Sequence, residues 1–340
     1  LTLSALAIGL GLLFVPPAAA VMLLGSGAPA YNTTPPTGAL AGSDCGTPTM
    51  PHRWWLAIRP KTLPAAGAGV ITGTALAWRA GGFSVGPALA ALAVALLLQI
   101  ASNLANDVYD DERGADTADR LGPVRVTQSG LLSRGQVKRG MVVVLGLALA
   151  IGVYLTFVRG PLVVVVGVAA VVAALAYTAG PYPLGYHGLG EVFVFLFFGL
   201  TAVVGTYWVQ TGATSLLAWL MAAAVGAPVT AIIVVNNLRD IEQDRAAGKR
   251  TIAVRIGVRA TRLEYAALMA VPYVLLTTLV LTSDLPLAAL LAWLSLPLAL
   301  RATRRVFVQT GRALNIALAE TGQTAIAYSA LFALGLLLTH

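Results

Sequence analysis

NLANDVYDDERGADTAD, residues Asn103 to Asp119, decides what kind of chain this is. It follows an apolar run, Pro87 to Ile100, and breaks it with acid: Asp107, Asp110, Asp111, Glu112, Asp116 and Asp119. A second acidic island, NNLRDIEQD at Asn236 to Asp244, also closes an apolar run. Together the islands hold nine of the fourteen Asp and Glu in the chain. A carboxylate at membrane depth costs about 2.5–3.5 kcal/mol on insertion scales, so acids placed there are functional candidates by default.

Outward from the islands, composition sets the class. The 340 residues are 58% hydrophobic and 11% charged, against about 25% charged in a soluble domain. This is the composition of a polytopic membrane protein. One cysteine, Cys45, excludes an intramolecular disulfide and a cysteine-built metal site, and three scattered histidines argue against a zinc cluster. The net charge of +8 sits beside apolar spans. Anionic membrane lipid and a phosphorylated ligand are therefore the expected partners, and nucleic acid is not.

Residues 1–49 differ from the rest. Leu3 to Leu24 is apolar but broken by Pro16-Pro17, and a Gly/Pro/Ser/Thr-rich linker follows. The expectation is an extension, or a chain whose real start is Met50, ahead of a membrane domain at 50–340. Trp54 and Trp55 suggest an interfacial helix. From there nine spans of about the length a bilayer needs are predicted, at 63–79, 86–105, 140–158, 161–179, 190–209, 215–236, 263–281, 285–301 and 314–338. The expected fold is all-α, nine transmembrane helices around a central cavity. Twenty of the 22 Lys and Arg fall on the side of the acidic islands, leaving Arg79 and Arg159 opposite. By the positive-inside rule the islands face the cytoplasm, in the inner (cytoplasmic) membrane. Arg301, Arg304, Arg305 and Arg312 read as part of that topology signal. Glu191 reads as a complement to a helix dipole.

Asn106 and Asp110 are four apart, as are Asp240 and Asp244. On a helix such pairs share a face. Two such faces from different helices suit Mg²⁺, which takes oxygen ligands and binds through carboxylates plus substrate phosphates. Arg113, Arg120 and Arg125 trail the first island, Lys249 and Arg250 the second. Acid for a metal beside base for a diphosphate is the pairing a polyanionic ligand needs. The plainer alternative is two solvated helix ends. Tyr177, Tyr182 and Tyr186 read equally as interfacial anchors or as a turn near the site.

With those motifs, NDVYD at Asn106–Asp110 and DIEQD at Asp240–Asp244, the chain from about Trp54 resembles the UbiA superfamily of intramembrane prenyltransferases. RPKTLPAA at Arg59–Ala66, GPVRVTQSG at Gly122–Gly130, YTAGPYPLGYHGLGE at Tyr177–Glu191 and NNLRDIEQDRAAGKRTIAVRIG at Asn236–Gly257 resemble the branch that uses 1,4-dihydroxy-2-naphthoate in menaquinone synthesis. The sequence departs from many members at Gly114, where a third acid is common; Asp116 follows two later. It also lacks the lysine of the Tyr-x-x-x-Lys motif of 4-hydroxybenzoate enzymes after Tyr177, which passes the cation role to Lys249.

The resemblance implies transfer of a polyprenyl group from polyprenyl diphosphate to the naphthoate, with loss of diphosphate and CO₂ and Mg²⁺ as cofactor. It implies Asn106, Asp110, Asp240 and Asp244 as the main metal shell, with Asp107 and Asp116 in support. Lys61, Arg125, Lys249 and Arg250 would take the diphosphate, and Asn103, Gln128, Tyr177 and Asn236 would stand on the acceptor side. The rivals are the same chemistry on 4-hydroxybenzoate, homogentisate or a sugar phosphate, and a cation-coupled transporter.

Overall fold

The structure is a computed structural model that describes residues 49–114 and 120–339. Asp116 and the segment before Thr49 lie outside the described residues. The described chain is helical from Met50 onward. Helix α1 (Met50–Ile58) ends at Arg59, a left-handed non-glycine residue, φ 55°. A 3-10 turn, Pro60–Thr62, leads into α2 (Leu63–Arg79), with Pro64 in the first turn where a missing N–H costs nothing. Then come α3 (Val85–Glu112), α4 (Arg134–Arg159) and α5 (Leu162–Ala176). Helix α6 (Gly190–Thr211) contains a π-helical stretch, Phe195–Thr201. Helix α7 (Leu216–Arg239) is followed by a short α8 (Ile241–Ala246) and by α9 (Ile252–Leu281), which is interrupted at Gly257. Helices α10 (Leu287–Val308, 3-10 in its first half) and α11 (Leu314–Leu337) complete the bundle.

Every span expected from hydropathy falls on a helix. Six of these helices, α3, α4, α6, α7, α9 and α10, are long and apolar enough to cross a membrane. Helices α2 and α5 are shorter, 17 and 15 residues. The chain is thus an all-helical multi-pass membrane protein. Two boundaries differ from expectation, both beside the islands. Helix α3 runs on to Glu112, because its polar end is stabilised by side chains from other elements. Helix α9 begins at Ile252 rather than 263, since its first turns are amphipathic and a hydropathy window passes over them. Thr251 caps it, accepting from the Val254 N–H at 3.4 Å.

Helix α7 is the axis of the bundle: 72% of its apolar stretch is buried, against 11% in α3. It packs on α2, α6, α9 and α11. Met221, Leu276, Tyr265, Tyr328 and Phe332 are fully enclosed around it. Close approach relies on small residues, as membrane helices do when no hydrophobic force joins them. A Cβ on Gly73 of α2 would lie 2.5 Å from the Val203 carbonyl of α6. Likewise Gly199 of α6 and Gly226 of α7 meet so closely that a Cβ on the first would lie 2.6 Å from the Cα of the second.

The ends of the bundle have different chemistry. At one end Arg79 donates to the Asp284 carbonyl, and Arg159 to the carbonyls of Val209 and Gln210. The other end gathers the start of α2, the ends of α3, α5 and α7 and the starts of α4, α6, α9 and α11. The described residues of both acidic islands are there.

Candidate active site

The two islands meet through their helices. Asn106, Asp107 and Asp110 all sit on helical backbone in α3. At 100° per residue, Asn106 and Asp110 lie about 40° apart on the helix, with Asp107 rotated to the other flank. Asp110 lines a cavity of about 860 Å³, and so do Asn106, Asn236, Asp240 and Asp244. The second pair is built differently from the first. Asp240 is the junction residue between α7 and α8, and the Asp244 N–H donates to its carbonyl at 2.8 Å.

Each carboxylate has a distinct setting. Asp110 is 5% exposed; Oδ2 accepts from Arg125 at 2.9 Å and Oδ1 from the Tyr186 hydroxyl at 2.8 Å. Asp240 takes both its oxygens to the buried guanidinium of Arg239, at 2.7 and 2.5 Å. Arg239 in turn is anchored by Asn236 and by Asn315 of α11. Asp244 pairs with Lys249 at 3.6 Å. Burial pushes its carboxyl up to about 6; Lys249 pulls it down, and Asp240 and Asp110 push further up. The Lys249 ammonium stands 4.4 Å from the centre of the Tyr186 ring, a cation–π contact.

Asp107 is placed elsewhere than expected. It is fully buried and outside the cavity wall. Its oxygens accept from Arg59 at 3.2 Å, from the Val126 and Thr127 N–H groups, and from the Thr127 hydroxyl at 2.6 Å. It therefore ties α3 to the α1–α2 junction and to the loop that carries Arg125. Its helical phase, not its type, separates it from the cavity acids.

Among the expected cations, Lys61, Arg125 and Lys249 line the cavity, joined by Arg59 and Arg120. Arg250 is exposed and outside it; its N–H donates to the Tyr186 carbonyl. On the acceptor side, Tyr177 and Asn236 line the cavity. Asn103 lines it too, but its amide is spent on the Ile58 carbonyl and the Thr62 hydroxyl. Gln128 is exposed and away from the cavity.

Arg239 and Asn315 were not singled out in the sequence, and the partners of Arg59 and Tyr186 could not be read from it. Arg239 stands beside Asp240, so an Arg-Asp pair at a helix end was a usable signal. Arg59 holds an uncommon left-handed conformation, which backbone strain at functional sites makes notable, and sequence does not show it. Glu191 does more than face a helix dipole. It is buried and accepts from Asn237 at 3.2 Å.

Beyond the polar end the cavity is apolar. Its walls come from α3, α4, α5 and α6, including Leu145, Val171, Phe193, Phe197 and Phe198. Val142, Leu149, Val168 and Val172 line it while half or more exposed, so it opens sideways along α4 and α5.

The donor set fits a hard divalent cation only in part. Among the described residues no three acidic, His or Cys side chains converge as a ready-made metal site. Oxygen donors nonetheless ring one cavity end. That fits Mg²⁺, which is typically held by one or two carboxylates plus substrate phosphates rather than by a protein cage.

Comparison with known proteins agrees with this geometry. The UbiA prenyltransferase family matches residues 66–319. A 1,4-dihydroxy-2-naphthoate octaprenyltransferase of Escherichia coli (strain K12) is 38% identical over 294 residues, 84% of this chain and 96% of that protein. One from Mycobacterium tuberculosis is 40% identical over 271 residues, 79% of this chain and 91% of that one. A solved UbiA homolog from Archaeoglobus fulgidus, bound to GPP and Mg²⁺, superposes with a TM-score of 0.60 at 19% identity, covering 82% of this chain and 99% of that one.

Proposed function

The chain belongs to the UbiA prenyltransferase family, and from that membership we propose the reaction it runs. It transfers a polyprenyl group from polyprenyl diphosphate to 1,4-dihydroxy-2-naphthoate, releasing diphosphate and CO₂ and giving demethylmenaquinol for menaquinone synthesis. One observation supports this most: acids of both islands and three of the expected cations stand at one end of a cavity whose remaining wall is apolar and open sideways. A diphosphate head with a long hydrocarbon tail has that shape and polarity. The catalytic domain is residues 50–340, in the cytoplasmic membrane, with the motif end toward the cytoplasm.

Asp110, Asp240 and Asp244, with Asn106, are the residues that would hold Mg²⁺ with the diphosphate. Bound there, the ion supplies neutralisation of charge on the leaving group. In the described state guanidiniums from Arg125 and Arg239 neutralise two of these acids. Arg125, Lys61 and Lys249 are the cations that would orient the diphosphate oxygens, acting strongly because the apolar wall keeps water out. Arg239, fixed by two asparagines, holds Asp240 in place. Tyr177 and Asn236 are assigned to the aromatic acceptor.

The test uses purified protein with Mg²⁺, dihydroxynaphthoate and a series of prenyl diphosphates, with products read by mass spectrometry. Asp244→Asn is the cleanest variant, because Asp240→Asn would also leave buried Arg239 short of its partner. Losing one preorganised electrostatic group, about 3–4 kcal/mol, predicts turnover lower by about 10² to 10³. Wild-type turnover of Asp244→Asn at limiting Mg²⁺ would overturn the metal assignment. Prenylation of 4-hydroxybenzoate in preference to the naphthoate would overturn the acceptor.

A further inference from the structure

Four arginines near the start of α11 are not used by this chemistry, and two of them are built into something specific. Glu320 of α11 is buried, 6% exposed. Arg301 and Arg305 of α10 both reach it through Nε, at 2.9 and 3.0 Å. One guanidinium would neutralise one carboxylate. Two held by the same carboxylate leave a surplus positive charge, and their Nη groups make no hydrogen bond among the described residues. Arg301, Arg304, Arg305 and Val308 recur at helical spacing and so share one face of α10. Arg301 is half-exposed, Arg304 exposed and Val308 75% exposed.

We propose that Arg301 and Arg305, braced by Glu320, form a binding site for the headgroup phosphate of an anionic phospholipid. The chemistry points to a phosphodiester because a guanidinium presents a planar pair of donors that matches two phosphate oxygens. Fixing Nε on Glu320 removes the rotamer freedom that an exposed arginine would otherwise lose on binding. The occupant is lipid rather than free phosphate because the clamp lies on a helix that the sequence places at the membrane edge. Val308 on the same face offers contact to an acyl chain. Basic clusters between membrane helices commonly take such headgroups. The site does not depend on the reaction proposed above, and its test does not read activity.

Delipidated protein in neutral detergent would be titrated with phosphatidylglycerol, phosphatidylcholine and inorganic phosphate, reading bound lipid by native mass spectrometry and thermal midpoint. Phosphatidylglycerol should bind saturably and raise the midpoint, with phosphatidylcholine and phosphate doing little. Arg301→Gln/Arg305→Gln alone would strand a buried carboxylate, so the deletion variant also carries Glu320→Gln; it should lose the bound lipid. Arg301→Lys/Arg305→Lys keeps charge and the pairing with Glu320 but lacks the fork, and should bind about tenfold more weakly, the loss of one charge-assisted hydrogen bond. Arg259→Gln, at an exposed arginine outside the clamp, lowers the net charge by one, as the triple variant does, and should bind as wild type. Equal losses in the control and in the triple variant would reduce the site to net charge and overturn it. So would full affinity in the lysine variant, or protection by phosphate that phosphatidylglycerol does not exceed.

Discussion

Asp107 and Asp110, three positions apart on one helix, show how function is divided at the residue scale. They lie on different flanks of α3: Asp107 is enclosed by four donors from two other segments, and Asp110 faces the cavity. Asp107→Asn should therefore behave as a stability mutation. Removing one partner of a buried ion pair costs about 3–5 kcal/mol, seen as a lowered thermal midpoint that added Mg²⁺ does not restore. Asp110→Asn also weakens a buried pair, with Arg125, but on the proposed role in holding the metal it should in addition lose turnover that raised Mg²⁺ partly restores. The same loss profile for both variants would show that the two acids share a role. The island was legible because acid after an apolar run is rare. Which acid did what was not, because the answer lies in donors from Arg59 and Thr127, residues that sequence spacing does not bring together. Tyr186 was obscured for the same reason: its hydroxyl reaches Asp110 across 76 positions.

At the scale of elements, hydropathy located the core of every long helix and missed the short α8 and what happens at the helix ends. The polar ends of α3 and α9 are set by tertiary partners and amphipathic turns, which a window average blurs. Packing contacts were also silent in the sequence reading, although Gly69 and Gly73 stand four apart on α2 in the small-xxx-small pattern of closely packed membrane helices. That pattern makes a sharp prediction. Gly73→Leu puts a Cβ against the Val203 carbonyl and 2.9 Å from the Thr206 Cβ. Backbone cannot move aside as a side-chain tip can, so α2 must shift from α6, at a cost of at least about 1–3 kcal/mol. The variant should show a lower thermal midpoint and a poorer yield of folded protein. Gly135→Ala, where an added Cβ meets nothing within 4 Å, should match wild type. An unperturbed Gly73→Leu would mean that α2 and α6 are not in close contact in the membrane. Glu191 belongs to this scale too: it accepts from Asn237 and so ties α6 to α7 just before the second motif.

For the whole molecule, orientation and the path of the hydrocarbon tail are linked. The end holding Arg79 and Arg159 lies opposite the motifs, so the orientation proposed from the positive-inside rule puts the motif end on the cytoplasmic side. Cysteines at exposed Gln128 and Ala246, with Cys45 replaced, should be labelled by impermeant thiol reagents from the cytoplasmic side only. They are better sites than Gly114 or Gly248, whose φ of 67° and 73° would strain a cysteine. Labelling from outside intact cells would invert the topology. Given that orientation, the tail must run from the acids toward the outer leaflet or leave sideways between α4 and α5. Gly205 of α6 distinguishes the two routes. It lines the cavity, and a Cβ there meets nothing within 4 Å. Fifteen residues beyond Gly190 at 1.5 Å rise, it stands roughly 22 Å from the motif end. A bulky side chain at this depth has room to fold in, and it blocks only a tail long enough to reach it. Gly205→Trp should leave kcat/KM for geranyl diphosphate near wild type and lower it for octaprenyl diphosphate by about tenfold, an effect of about 1.4 kcal/mol. Equal loss on both donors would indicate damage to the bundle instead. Undiminished use of the long donor would mean that the tail leaves through the exposed valine wall of α4 and α5 before it reaches that depth.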